Sequence, residues 1–392
     1  MKTIKNSGKI LALFLCIAIL ICPFSLKTNA IVGDAVATVG APTTQCKSAI
    51  LMEAQTGTVL YELNPDEALP PASVTKIMTL LLVMEAIDRG ELKYDDMLSA
   101  SEHACSMGGS QIYLKEGEEM SVDDLVKSVV IASANDAAVV LAERVAGSED
   151  AFVEMMNKRA EELGMENTHF ENTNGLDDTV ENHVTSARDI AIMSRELIKH
   201  KKITEYSSIW MDTIRNGEFG LTNTNRLVRF YKGATGLKTG STDKAGFCIS
   251  ATAERDGMTL IAVVMGSPTR DIRNSSATSM LDWGFANFAL YNAPAVLLDP
   301  IKINGGKKSY CALDTSSFTA VVDKNEKGRV EVLTELPSFV SAPVFQGQQI
   351  GCVRYKIGER EIGCAYIIAT ENIEKIGFWN VFARILSAAF IN

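Results

Sequence analysis

Ser73 and Lys76 stand three residues apart in Pro71-Ala72-Ser73-Val74-Thr75-Lys76, so on a helix the hydroxyl and the amine project from one face. A serine hydroxyl becomes a strong nucleophile only when a neighbouring base takes its proton, and lysine can be that base once its own proton is lost. Lysine ordinarily holds that proton to about pH 10.4, so burial or a nearby cation must lower its pKa. Lys238, in Gly236-Leu237-Lys238-Thr239-Gly240-Ser241, adds a second amine on an expected strand, and Ser133-Ala134-Asn135 adds another hydroxyl and a side-chain amide. The Ser-x-x-Lys spacing decides nothing alone, since Ser241-Thr242-Asp243-Lys244 repeats it, but Ser133 begins the only Ser-x-Asn in the chain. Each piece also has a plain structural reading: Ser73 as a helix cap, Ser133 to Asn135 as a connector, Lys238 as a solvated strand residue. Only their joint occurrence argues for chemistry.

Particular elements must carry these residues. Ala49 to Met52 and Val59 to Tyr61 read as a hairpin around Gln55-Thr56-Gly57. Ile77, Leu80, Leu81, Met84 and Ile87 recur at helical spacing, and Gly90 can close that helix, whose first turn holds Ser73 and Lys76. Ser121, with Asp124 three residues on, announces a helix to about Ile131. Another helix follows Asn135 and ends near Gly147, and a third runs from Ser148 to Gly164. Residues 165 to 186 are polar and turn-rich, a loop placed to cover a site. Strands are expected from Gly236 to Thr239, Phe247 to Ala253 and Met258 to Met265, then a helix from about Ser276 to Leu290. Helices on either side of antiparallel strands predict an α+β domain over 31–290. Short β-like runs from 291 to 370 predict a small all-β domain, and Phe378, Val381, Phe382, Ile385, Ala389 and Phe390 give the tail at 371–392 one apolar helical side.

Lys2, Lys5 and Lys9 precede the apolar run Ile10 to Cys22, and Thr28-Asn29-Ala30 offers small residues for cleavage, so residues 1–30 read as a secretory signal peptide. The run is shorter than the roughly 20 residues a spanning helix needs. The formal net charge of −10 is unfavourable to phosphate backbones, so no nucleic-acid partner is expected. Beyond residue 30 six cysteines remain, Cys46, Cys105, Cys248, Cys311, Cys352 and Cys364, with wide spacings that leave any pairing open. No CxxC occurs, and His103, His169, His183 and His200 lack metal-ligand spacing, so neither metal nor other cofactor is expected.

The three motifs in this order resemble the signature of penicillin-binding proteins and serine β-lactamases. Over about 47–290 the chain is similar to the D-alanyl-D-alanine carboxypeptidases of low molecular mass. Supporting stretches are Ala134-Asn135-Asp136-Ala137-Ala138, Asn172-Thr173-Asn174-Gly175-Leu176, Ser186-Ala187-Arg188-Asp189, Thr242-Asp243-Lys244-Ala245-Gly246 and Trp283-Gly284-Phe285. The resemblance implies a penicillin-binding/serine β-lactamase-like catalytic domain followed by a small C-terminal β domain and an amphipathic helix on a membrane surface. It also implies a peptidoglycan stem peptide ending in D-Ala-D-Ala as substrate, β-lactams as covalent inhibitors, and a place outside the cytoplasm.

By the same resemblance, Ser73 attacks the penultimate D-alanine carbonyl, Lys76 accepts its proton, and Ser133 relays a proton to the leaving amine. Asn135 holds the peptide amide; the backbone N–H groups of Ser73 and Ser241 hold the oxyanion; Lys238, Thr239, Gly240 and Arg273 bound the carboxylate site. Ala134 and Ser241 depart from residues common in relatives, glycine and histidine. Two alternatives stay open: a serine β-lactamase, whose Glu-x-x-Leu-Asn loop Glu171-Asn172-Thr173-Asn174 lacks, and a silent wall-binding protein on the same fold.

Overall fold

The computed structural model describes residues 40–178 and 180–382. The expected signal peptide and the tail beyond residue 382 lie outside the described residues. At the centre is a five-stranded antiparallel sheet of β1 (Ser48–Glu53), β2 (Val59–Leu63), β3 (Ala234–Thr242), β4 (Gly246–Arg255) and β5 (Met258–Ser267), in the order β2-β1-β5-β4-β3. Strand β1 is buried throughout because successive side chains enter opposite cores. Ala49 and Leu51 pack with Ala277, Met280 and Leu281 of α4 (Arg270–Asn287), whereas Ile50 and Met52 join a larger helical core. That core holds α1 (Lys76–Asp88), α2 (Asn135–Ala146) and α3 (Ala187–Leu197).

The expected helix starts and stops follow from caps. Ser121 and Ser148 accept hydrogen bonds from the N–H groups of Asp124 and Ala151, and Gly147 takes the left-handed conformation that ends α2. Helix α4 departs from expectation at both ends. Thr269 caps it, so it starts at Arg270 rather than near Ser276; Phe288 to Leu290 then leave the helix for a strand, Phe288–Asn292. That strand pairs with Thr319–Asp323, and its Leu290 joins the core of Ala277, Met280 and Leu281.

The β domain has its own cores. Val353, Tyr355, Ala365 and Ile367 fill one, and Ile301, Ile303, Cys311, Val344, Ala369 and Ile373 fill another. Its largest sheet has four strands, with Arg360–Ala369 and Gln349–Ile357 at the centre. The six cysteines within the described residues are free thiols. Residues 378–382 are helical, with Phe378 and Trp379 each 75% exposed. Among the described residues no helix is long and apolar enough to cross a membrane.

Candidate active site

Ser73 sits in a single 3-10 turn, Ala72–Thr75, that runs into α1, and no side chain caps the turn. The reading of Ser73 as a helix cap therefore fails, and its hydroxyl is left for other work. The Lys76 Nζ lies 3.0 Å from the Ser73 Oγ and donates to the Asn174 carbonyl at 2.7 Å. Lys76 is fully buried, and burial, followed by the positive charge of Lys238, holds its amine well below the usual lysine range. The neighbouring Asp136 opposes that shift.

The Ser133-Ala134-Asn135 segment joins the preceding helix to α2, with Ser133 at φ +64°, a costly conformation for a residue with a side chain. Lys238 on β3 reaches across and donates to the Ser133 Oγ at 2.8 Å and to the Thr239 carbonyl at 2.9 Å. Burial first, then the Arg273 charge, lowers Lys238 to about 7. Asn135 is held from the loop before it: its Nδ2 donates to the Gly108 carbonyl at 2.7 Å, and its N–H donates to that of Ser110 at 2.7 Å. Among the described residues the buried Oδ1 of Asn135 has no partner, a vacant acceptor suited to a peptide N–H. Asp136 fixes the same loop by accepting from the N–H groups of Ile112 and Leu114.

Strand β3 runs hard against the serine turn. A Cβ at Gly240 would lie 2.8 Å from the Ser73 nitrogen and 2.9 Å from that of Val74, so any side chain there would block the Ser73 N–H. Ser241 is exposed beside it, and the Thr239 hydroxyl donates to that of Thr224 at 2.8 Å. Arg273 is only 3% exposed; its guanidinium is held by Asn274 Oδ1 and faces the Cys248 carbonyl. Burial pushes it down to about 10.

Ser73, Ser133, Thr239, Gly240, Ser241 and Arg273 line one cleft of about 570 Å³. Lys76, Asn135 and Lys238 stand directly behind it through the bonds above. All nine residues singled out in the sequence are thus brought together. Lys244, the decoy partner of Ser241, instead donates to the Asp177 carbonyl at 2.7 Å.

Several contributors have roles that the sequence does not disclose. The Asn174 carbonyl meets Lys76 because Gly175, at φ +84°, lets the loop press on the serine turn; a Cβ there would fall 1.9 Å from the Ala72 oxygen. The Asn174-Gly175 pair signals a tight turn, but nothing in it tells where a carbonyl points. His183 accepts from the Glu171 N–H at its Nδ1, so its Nε2 donates to Thr75 Oγ1, which donates to the Ala72 carbonyl. Burial lowers His183 to about 4. Trp210, Arg226 and Arg270 also line the cleft.

A sheet with helices on both faces, and a buried Ser-Lys pair facing a second serine and a strand lysine, define the penicillin-binding class of serine enzymes. The D-alanyl-D-alanine carboxypeptidase family matches residues 35–269, and the C-terminal domain of penicillin-binding protein 5 matches 285–375. The chain belongs to this family and is a serine-type D-alanyl-D-alanine carboxypeptidase. It is 42% identical to D-alanyl-D-alanine carboxypeptidase DacF of Bacillus subtilis (strain 168), over 87% of this chain and 89% of that one. Penicillin-binding protein 5 from Haemophilus influenzae is similar in structure, with TM-score 0.77 and 32% identity over 86% of this chain and all of that one. Penicillin-binding protein D2 from Listeria monocytogenes, solved in an ampicillin-bound form, is 34% identical with TM-score 0.58; 63% of this chain covers its whole length.

Proposed function

We propose that this enzyme removes the terminal D-alanine from peptidoglycan stem peptides through an acyl-enzyme on Ser73. The observation that carries the assignment is the 3.0 Å approach to the Ser73 hydroxyl of a fully buried Lys76, whose amine burial holds well below the usual lysine range. Lys76 takes the proton as Ser73 Oγ bonds to the penultimate D-alanine carbonyl carbon. The backbone N–H groups of Ser73 and Ser241 receive the oxyanion. Ser133, tied to Lys238, gives its proton to the amine of the departing D-alanine and takes up the one held on Lys76, and the C–N bond breaks. The free carboxylate of that residue meets Lys238, Thr239 and Arg273, and Asn135 Oδ1 accepts from the peptide backbone. Water then releases the shortened stem.

The same acylation accounts for β-lactams as covalent inhibitors. The adduct is long-lived, because no glutamate stands in the pattern a β-lactamase uses to activate its hydrolytic water. Peptide mapping after reaction with benzylpenicillin should find the adduct on Ser73 and none in Ser73→Ala. An adduct on Ser241, or rapid penicillin turnover without release of D-alanine, would overturn the proposal.

The enzyme works outside the cytoplasm, where its polymer substrate lies, and its C-terminal helix rests on the membrane surface. Supporting the second point are the exposed rings of Phe378, Trp379 and Phe382 at the start of the apolar tail. Truncation after Glu374 should free active enzyme from membranes; full-length enzyme, its signal removed, already soluble in cell fractionation would contradict the tether.

A further inference from the structure

Thr173 is fully buried, and all three of its polar groups are committed. Its N–H and its hydroxyl donate to one oxygen of Glu149, Oε1, at 3.1 Å and 2.7 Å, and its carbonyl accepts from Thr79 Oγ1 at 2.6 Å. Thr79 lies on α1, three residues after Lys76. The next residue of the loop is Asn174, whose carbonyl takes the Lys76 amine at 2.7 Å. The grip on Thr173 therefore sets where that acceptor stands.

The Asn172 side chain braces the loop from within, accepting from the N–H groups of Asn174 and Gly175 and donating to the Leu176 carbonyl. Glu149 reaches the loop from outside, from the first turn of the helix Glu149–Glu162. That helix does not need the carboxylate, because Ser148 caps it by accepting from the Ala151 N–H. The second oxygen, Oε2, meets His103 Nε2 at 2.6 Å. His103 sits on the short helix Glu102–Cys105, which leads into Gly108 and Ser110, the residues whose carbonyls hold Asn135. One carboxylate thus ties together the two loops that flank the reacting groups, through bonds to an ionised acceptor, the stronger kind.

Resting on the reading of the site given above, we propose that Glu149 is a positioning residue for acylation, whose grip on Thr173 holds the Asn174 carbonyl where it keeps the Lys76 amine facing Ser73. Glu149 touches neither substrate nor reacting atoms. It acts through Lys76, which takes a proton from Ser73 across 3.0 Å and tolerates little displacement.

The test is stopped-flow acylation by benzylpenicillin over a range of concentration, with wild type, Glu149→Ala, Glu149→Gln and Glu149→Asp. Glu149→Ala should lower the rate constant at saturation by roughly tenfold to a hundredfold, with the half-saturating concentration within about twofold of wild type, because the base is displaced and the carboxylate receptors are not. The amide oxygen introduced by Glu149→Gln can accept from the same two Thr173 groups and should restore the rate to within about threefold of wild type. Glu149→Asp keeps the charge but falls one methylene short, and should stay slow. An acid that served only the first turn of its helix would give the reverse order, since its worth there is its charge. Wild-type rates in Glu149→Ala, or rescue by Glu149→Asp and not by Glu149→Gln, overturn the proposal. Should Glu149→Ala fail to fold, Thr173→Val decides: loss of the hydroxyl alone should slow acylation by roughly threefold to tenfold, and an unchanged rate overturns the role. Penicillin labelling of wild type and Ser73→Ala, run alongside, separates the two claims. Label on wild type alone, with no slowing in Glu149→Ala, sinks the positioning role only; label on Ser73→Ala at the wild-type level sinks the reading of the site and the role with it.

Discussion

A lysine amine serves as a base only in its neutral form, and Lys76 is kept near that form by burial and by the Lys238 cation. Lys238 has the opposite duty, since it must stay charged to hold a carboxylate, yet burial and Arg273 bring it to about 7. The second requirement sets the alkaline limb of the pH profile for kcat/KM in the free enzyme. Activity should fall above about pH 7 as Lys238 loses its proton. Steady-state kinetics from acid to alkaline pH would check this, and a plateau running unchanged through pH 7 to 9 would contradict it. Ser73, Lys76, Ser133 and Lys238 were legible in the sequence because their chemistry resides in side chains at fixed spacing. The Asn174 carbonyl was not, because every residue has one and only the fold aims it.

The loop from 165 to 186 acts as the back wall of the serine turn. Its contact with that turn depends on Gly175, which combines φ +84° with an approach to Ala72 that no Cβ could share. Gly175→Ala should push the loop back, break the Lys76 bond to Asn174 and slow penicillin acylation by roughly a hundredfold, the scale of a misplaced catalytic group. Stopped-flow acylation would measure it, and near-wild-type rates would show the contact to be dispensable. His183 links this loop to the turn in its neutral form, with a folded pKa of about 4 against an ordinary 6.5. Its contribution to stability is complete above pH 6.5 and is lost as pH falls through about 4. The difference amounts to about 3 kcal/mol. Urea titrations at pH 7 and pH 4.5 should show a larger loss in wild type than in His183→Gln; equal losses would remove His183 from the account. The loop was recognisable from its turn residues, but the histidine's partners come from segments remote in sequence, which periodicity cannot bring together.

The catalytic domain and the β domain hold separate cores, joined where strand Phe288–Asn292 pairs with Thr319–Asp323 and where Val321 packs near α4. The ends of α4 were misplaced in the sequence because Arg270, Asp271, Arg273 and Asn274 hide its apolar period, while Phe288 to Leu290 look helical until a distant strand pairs with them. Every residue of the proposed chemistry lies before Asn287, so a chain ending at Asn292, which keeps Leu290 in the core beside α4, should fold and be acylated within about threefold of the full-length rate. Failure to acylate despite a cooperative melt would assign the β domain a part in the site. The central claim, that Ser73 carries out D-Ala-D-Ala carboxypeptidation, is tested most directly by quantifying D-alanine released from a D-Ala-D-Ala peptide by wild type and by folded Ser73→Ala. The account predicts many turnovers for wild type and none for the variant; release of D-alanine by Ser73→Ala at the wild-type rate would contradict it.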